Sequence, residues 1–248
     1  MAKEKAYKLL AIQEGITNNK AKELIDKGLV SANGKKIVIA RGEISNETVF
    51  KIKEIPKVRK IFEDNDILAV DKPAYLNTSE LETLYPTYLL LNRLDRETSG
   101  VVLFAKNKEF QQKAIQEFKE NRVYKEYVAV VEGKVIDELT CDLPISTIKG
   151  KSAKSKIDLR NGKSAKTTVY PMMIEGHKSK VKIVIQTGRT HQIRVHLAYL
   201  NLPIIGDLLY GKPSNKVHRM LLHSRQTKLF DYSFESPEPK EFRAYGFN

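Results

Sequence analysis

The segment that most constrains this chain runs from Leu91 to Ala105. Residues 91–100 form a polar stretch ending at Gly100, and Val101, Val102, Leu103, Phe104 and Ala105 follow without a polar residue. The apolar run has the length and β-branched content of a buried strand. A polar loop feeding such a strand can present one acid on a rigid sheet. Here the acid is Asp95, and Arg93 and Arg96 flank it as cations able to hold a polyanionic substrate.

The charge balance points the same way. Lys and Arg number 43 against 30 Asp and Glu in 248 residues, a net charge of +13. That excess favours a polyanionic partner, nucleic acid or an anionic membrane surface, over a role in solubility alone. The 41% hydrophobic content can build a real core, as one large domain or a small one plus a larger one. Cys141 is the only cysteine, which excludes an internal disulfide and a Cys-rich zinc site. Charged residues follow Met1 with no apolar signal core after them, and no apolar run approaches the roughly 20 residues of a membrane span. The expectation is a soluble cytoplasmic protein that does not engage membranes.

Residues 1–54 read as a small helix-helix-hairpin domain. Ala6, Leu9 and Leu10 share helical spacing, as do Ala21, Leu24 and Ile25. Thr17 or Asn18 can cap the second helix and Gly28 can end it. Asn33-Gly34 between two short apolar segments, 29–32 and 36–39, is a strong hairpin signal. Residues 55–60 read as a linker, and 61–248 as a second domain. Within it, residues 61–73 spell two strands around an acidic turn. Asn107 can cap a helix carrying Phe110, Ala114 and Phe118 on one face. Arg122 to Val131 is a strand with Lys125, Tyr127, Ala129 and Val131 on one side. Ile148 to Thr168, with six lysines and one acid, reads as a hairpin or loop facing RNA or solvent. Val181–Gln186 is a strand, Thr190–Leu200 a helix with Ile193, Leu197 and Leu200 inward, and Met220–His223 a short buried strand. The last residues are polar and Pro-containing.

Three groups could carry chemistry. Asp95 is the first: an opposite charge nearby would keep the carboxylate ionised, and an ionised carboxylate serves as nucleophile or base. The second is Gly188–His196, where Arg189, Thr190 and His191 gather at a helix start suited to a phosphate. His191 and His196 lie five apart on different faces with no cysteine or acid beside them in sequence, so a metal site is not expected. The third is Tyr124–Tyr127, where Lys125 and Tyr127 share a face and the phenol could meet a base or join the core.

The motifs together resemble the RluA-type pseudouridine synthase family. Residues 63–73, 92–107, 122–133 and 188–211 are similar to its four motifs, in order. The pattern from Gly15 through Gly28 to Ile37 resembles the S4 RNA-binding domain. The resemblance implies an α+β fold: an S4-like domain, then a synthase domain with a mixed, mostly antiparallel sheet and a central cleft. It implies Asp95 as catalytic aspartate, Tyr127 as the aromatic under the target base and Arg194 as the ion-pair partner of the aspartate. Arg93 would fill the gap left by the flipped nucleotide, and Leu221 or Leu222 would lie below the base. Arg96, Lys125, Arg189, Thr190 and His191, with Lys20, Lys22, Lys27, Lys35 and Lys36 of the S4-like part, would contact RNA. Asn92 and Ser164 depart from the residues usual at their positions. The implied reaction isomerises uridine to pseudouridine in structured RNA, with 23S rRNA favoured over tRNA, no cofactor and a monomeric enzyme. The rival is a non-catalytic S4-type RNA-binding or ribosome-assembly protein. A hydrolase using Ser99 and His191 lacks the sequence that turns a serine into a nucleophile.

Overall fold

The computed structural model describes residues 2–148, 154–212 and 219–247. Contacts divide the chain into two units, Met1–Pro56 and Lys57–Asn248.

The first unit is built as its periodicities require. Helices Ala6–Glu14 and Asn18–Asp26 bury Ala6, Leu10, Ala11, Ala21 and Ile25 against Val30, Ala32 and Phe50. The Thr17 hydroxyl caps the second helix by accepting from the Lys20 N–H at 3.2 Å, relieving an otherwise unpaired donor. Asn33 and Gly34 both take positive φ, as a two-residue turn between paired strands demands. The second strand of that hairpin stops at Lys36, shorter than the sequence implies, and Val38 and Ile39 are exposed. The longer partner of Val30–Ala32 is Phe50–Ile52. Gln13 clips it to the first helix, exchanging hydrogen bonds with the Phe50 N–H (2.9 Å) and carbonyl (3.0 Å).

The second unit is organised by one ten-stranded sheet. Its main path runs 139–142, 166–175, 178–185, 124–132, 222–229, 99–105, 67–72, 59–63. Neighbours are antiparallel except 222–229 with 99–105, which pair in parallel at His223–Ser99 and Ser224–Gly100. Both faces are covered, which explains the unbroken apolar run after Gly100. Val102 and Phe104 face a core with Tyr127, Ala129, Ile183, Ile193 and Leu197. Val101 and Leu103 face the other way, against Phe110 and Ala114 of helix Lys108–Lys119. That helix begins where Asn107 accepts from the Phe110 N–H at 2.8 Å.

Several elements differ from the sequence reading. Arg59 and Lys60 belong to strand Arg59–Glu63 rather than to a linker, because they pair with Asp71 and Val70. Residues 148–168 hold part of the expected hairpin, but it opens before Ile148 and the segment ends in the sheet. Ile145–Ile148 and Lys154–Ile157 make a hairpin packed on Val195, and Lys166 opens a ten-residue sheet strand. The stretch 149–153, part of the same expectation, lies outside the described residues. A helix at Thr78–Leu84, closed by the Asn77–Glu80 capping box, has no counterpart in the reading. The C-terminal segment is not merely polar, since Phe242 and Phe247 are buried against Val128, Val130 and Leu221.

Candidate active site

The parallel pair at the middle of the sheet puts the 91–98 loop beside strand Tyr124–Glu132 and the start of helix Gln192–Tyr199. Gly100 makes this crossing possible. Its φ is +117°, and a Cβ there would lie 2.1 Å from the Ser224 carbonyl oxygen. Only glycine lets the two strands approach so closely.

The loop is held from beneath. Lys72 is fully buried, and its ammonium donates to the carbonyls of Pro73 (3.0 Å), Leu76 (2.8 Å) and Arg96 (3.2 Å). Burial pulls the Lys72 amine down to about 7, and the cation Arg219 adds to the effect. The Thr78 hydroxyl donates to the Leu94 carbonyl at 3.0 Å. Asn92 accepts from the Leu103 N–H at 2.8 Å, so this departure from the family pattern serves the backbone. Behind the loop, Ser99 meets His223 Nδ1 at 2.8 Å and accepts from Arg219 at 2.8 Å.

Asp95 stands at the cleft with its side chain 26% exposed. Arg194, only 5% exposed, donates from Nη1 to Asp95 Oδ2 at 3.0 Å. Nε and Nη2 of the same guanidinium go to the two oxygens of Asp207, at 2.7 and 2.8 Å. Asp207 is itself fully buried and also accepts from the N–H groups of Leu209 and Tyr210. Burial alone would raise its carboxyl, but the Arg194 bonds prevail and hold it below the ordinary range. Arg194 is thereby fixed in one orientation, with its remaining edge offered to Asp95. Among the described residues, Arg194 and His191 Nε2, the latter at 3.8 Å, both approach Asp95 at Oδ2.

The cleft is shallow and open to solvent on one side, with a cavity volume of about 80 Å³. Arg93, Asp95, Tyr127, Arg189, His191, Arg194 and Leu222 line it, with Ile185 and Ile193 as further apolar wall. Tyr127 is buried, and desolvation pushes its phenol up to about 12, so the hydroxyl keeps its proton at neutral pH. Arg93 is exposed at the rim. Arg189, also exposed, donates from Nε to the Ser164 carbonyl at 3.0 Å.

Some sequence assignments fall elsewhere. Leu221 is on the opposite face, among Val128, Val130, Ile205 and Phe242, so Leu222 is the leucine of the cleft wall. Arg96 pairs with Glu97 at 3.1 Å, and the cation bound at Asp95 is Arg194. Lys125 is buried and spends its amine on the Gln186 carbonyl at 3.0 Å, with burial drawing its pKa down to about 8. It holds the end of strand Lys178–Ile185 rather than facing RNA. Thr190 lies half-buried in the turn between that strand and the helix. His196 is buried, bonded to the Thr167 hydroxyl and the Leu143 carbonyl. In the first unit, Lys20 and Lys35 are exposed, Lys20 and Lys27 pair with Glu23, and Lys22 lies 4.3 Å over the Tyr7 ring.

Two functional side chains had no role in the sequence reading. Asp207 is one. Its signal is an aspartate after a glycine, followed two and three residues on by the N–H groups it caps. Gln192 is the other: its oxygen accepts from Arg189 N–H and Thr187, and its nitrogen donates to Lys166 and Thr167, which fixes the turn carrying Arg189 and His191.

Comparison with known proteins identifies the family. The family model for RNA pseudouridylate synthase matches residues 66–199. An uncharacterised RNA pseudouridine synthase of Helicobacter pylori strain J99 is 47% identical over 240 residues, covering 96% of this chain and 99% of the relative. Ribosomal large subunit pseudouridine synthase D of Yersinia pestis is 31% identical over 79% of this chain and 69% of its own. Among solved structures, human RNA pseudouridylate synthase domain containing 1 superposes with a TM-score of 0.66 at 28% identity, over 77% of this chain and 87% of that one. The chain therefore belongs to the RNA pseudouridylate synthase family, and it is an isomerase that acts on uridine in RNA.

Proposed function

We propose that Asp95 is the catalytic residue and that the RNA is large-subunit rRNA. The observation that carries the first part is the Asp95–Arg194–Asp207 chain, which aims a carboxylate into a cleft walled by Tyr127 and Leu222. In the reaction the C1′–N1 bond of uridine breaks, the uracil turns, and C5 joins C1′. The C5 proton is lost and N1 gains one, so nothing is oxidised and no group is added. Asp95 supplies the carboxylate, by attack on the nucleoside or by removing the C2′ proton, and Arg194 stabilises its charge. Tyr127 packs beneath the uracil with Leu222. Extracting the base from its stack costs about a few kcal/mol, offset by phosphate contacts and by Arg93 entering the gap.

The second part rests on two supports. The Yersinia pestis relative is by name a large-subunit enzyme. The first unit also carries Lys20 and Lys35 exposed on a separate small core, as an S4-like module for structured RNA would. In this reading residues 1–54 bind rRNA, 61–248 act on it, and the protein works in the cytoplasm as a monomer. The test is a map of pseudouridines in total RNA from cells with and without the gene. Loss of one or more positions in 23S rRNA is expected; loss confined to tRNA would overturn the rRNA assignment.

A further inference from the structure

The hairpin made by Ile145–Ile148 and Lys154–Ile157 reaches the catalytic aspartate through three consecutive polar contacts. On strand Lys154–Ile157, Lys154 and Lys156 are exposed, while Ser155 between them is buried on the inner side. The Ser155 N–H donates to the Tyr210 hydroxyl at 2.7 Å. That hydroxyl lies 2.9 Å from His191 Nδ1. His191 Nε2 then lies 3.8 Å from Asp95 Oδ2. Tyr210 is also clamped over the Arg194 guanidinium, 5.1 Å from ring centre to carbon.

The contacts determine which ring nitrogen carries the proton. Tyr210 already accepts from Ser155, and burial keeps its phenol protonated, so its one hydrogen is available for His191 Nδ1. With Nδ1 as acceptor, the neutral ring holds its proton on Nε2, pointing at Asp95. The opposite tautomer would set a lone pair against the carboxylate. The ring is pressed towards the neutral form by burial and by Arg194, and towards the charged form by Asp95, Asp207 and Glu97; burial is the largest effect and lowers its pKa. His191 also sits at φ +54°, a left-handed conformation unfavourable for a residue with a side chain. Such an outlier is kept where the surroundings impose it, and here it turns the ring into the cleft.

We propose that His191 is a positioning residue for Asp95, held as its Nε2–H tautomer by Tyr210, whose hydroxyl Ser155 in turn fixes. This rests on the reading of Asp95 as the catalytic residue. At 3.8 Å the Nε2–H lies beyond hydrogen-bond length, and it shortens to about 2.9 Å as the carboxylate engages the nucleoside. Oδ2 is then bound twice and Oδ1 is aimed at the nucleoside.

The test uses the full chain with 15N-labelled histidine. Long-range 1H–15N spectra of the wild type are expected to show the Nε2–H tautomer for His191, and Tyr210→Phe is expected to lose it. With saturating RNA, Tyr210→Phe and His191→Ala should lower kcat by about tenfold or more, the loss of one hydrogen bond to a charged group. KM should stay within about twofold, because the contact acts after binding. His191→Gln, whose amide nitrogen replaces Nε2–H, should recover most of the rate. A wild-type Nδ1–H tautomer, or an unchanged kcat in Tyr210→Phe, overturns the inference even if His191→Ala fails to fold. An inactive Asp95→Asn beside an unimpaired Tyr210→Phe rejects this inference alone. An active Asp95→Asn rejects the reading beneath it.

Discussion

Neutralising Asp207 tests whether Arg194 is held for Asp95 or merely buried beside it. Asp207→Asn keeps an oxygen for the Leu209 and Tyr210 N–H groups but leaves a guanidinium that is 5% exposed with only Asp95 as counter-charge. Breaking a buried pair from one side costs about 3–5 kcal/mol, and Asp95 places this case near the low end, about 3. For a domain of this size each kcal/mol moves Tm by about 2–4 °C, so the melting point should fall by about 6–12 °C. The activity should fall too, because Arg194 is free to turn. The double variant Arg194→Met/Asp207→Asn removes both charges and should regain most of the stability while remaining inactive. The pH dependence follows from the depressed Asp207 carboxyl. Its contribution is whole above the ordinary value of 3.8 and is lost as the pH falls through its lower folded value. In Arg194→Met the main cause of the depression is gone and burial raises that carboxyl, so the contribution reverses sign and stability falls as the pH rises through its folded value. Thermal unfolding by circular dichroism and tritium release from 5-tritiated uridine RNA provide both readings. An Asp207→Asn protein melting within about 2 °C of wild type, or a double variant less stable than either single one, would refute the reasoning.

Other outcomes follow from the same structure. Gly100→Ala should prevent folding of the second unit, since its Cβ would meet the Ser224 carbonyl at 2.1 Å; soluble, active protein would show that the strands can separate there. His223 is buried as a neutral imidazole, with its pKa lowered by burial from 6.5 to about 4. Its contribution to stability is therefore whole above pH 6.5 and lost as the pH falls towards 4, by about 3 kcal/mol; urea unfolding at pH 7 and pH 4 measures this, and His223→Asn should flatten the difference. Lys20→Ala/Lys22→Ala/Lys35→Ala should make the slope of log affinity for rRNA against log salt shallower by up to about 2; an unchanged slope would mean that these lysines do not touch phosphate.

What could be read from the sequence is what adjacent residues decide. Strand Ser99–Ala105, the helix capped by Asn107, the Asn33-Gly34 turn and the cap at Thr17 are local patterns, and each formed in its place. The family resemblance supplied Asp95, Tyr127 and Arg194, and the fold brings these three to one cleft. What was illegible depends on residues far apart in the chain. Spacing alone sets only Arg93 and Arg96 beside Asp95; its pairing with Arg194 came from the family resemblance, and the fold makes that contact from another element. Leu221 and Leu222 are indistinguishable by composition; alternation along an extended chain sends one to each face, and only the fold says which face holds the cleft. Lys125 was assigned to RNA with the resemblance, yet the carbonyl of Gln186 gives its amine a partner inside. Phe242 and Phe247 sat in a segment too irregular to show a period, and their burial comes from a core assembled by distant strands.

The central claim is that Asp95 performs the chemistry, and one substitution addresses it. Asp95→Asn preserves shape and the Arg194 contact but removes the charge. With RNA carrying 5-tritiated uridine at the modified site, it should release no tritium above background over a time in which the wild type reaches completion, while binding the RNA within about a few-fold of wild type. Tritium release by Asp95→Asn at a rate within about tenfold of wild type would contradict the account.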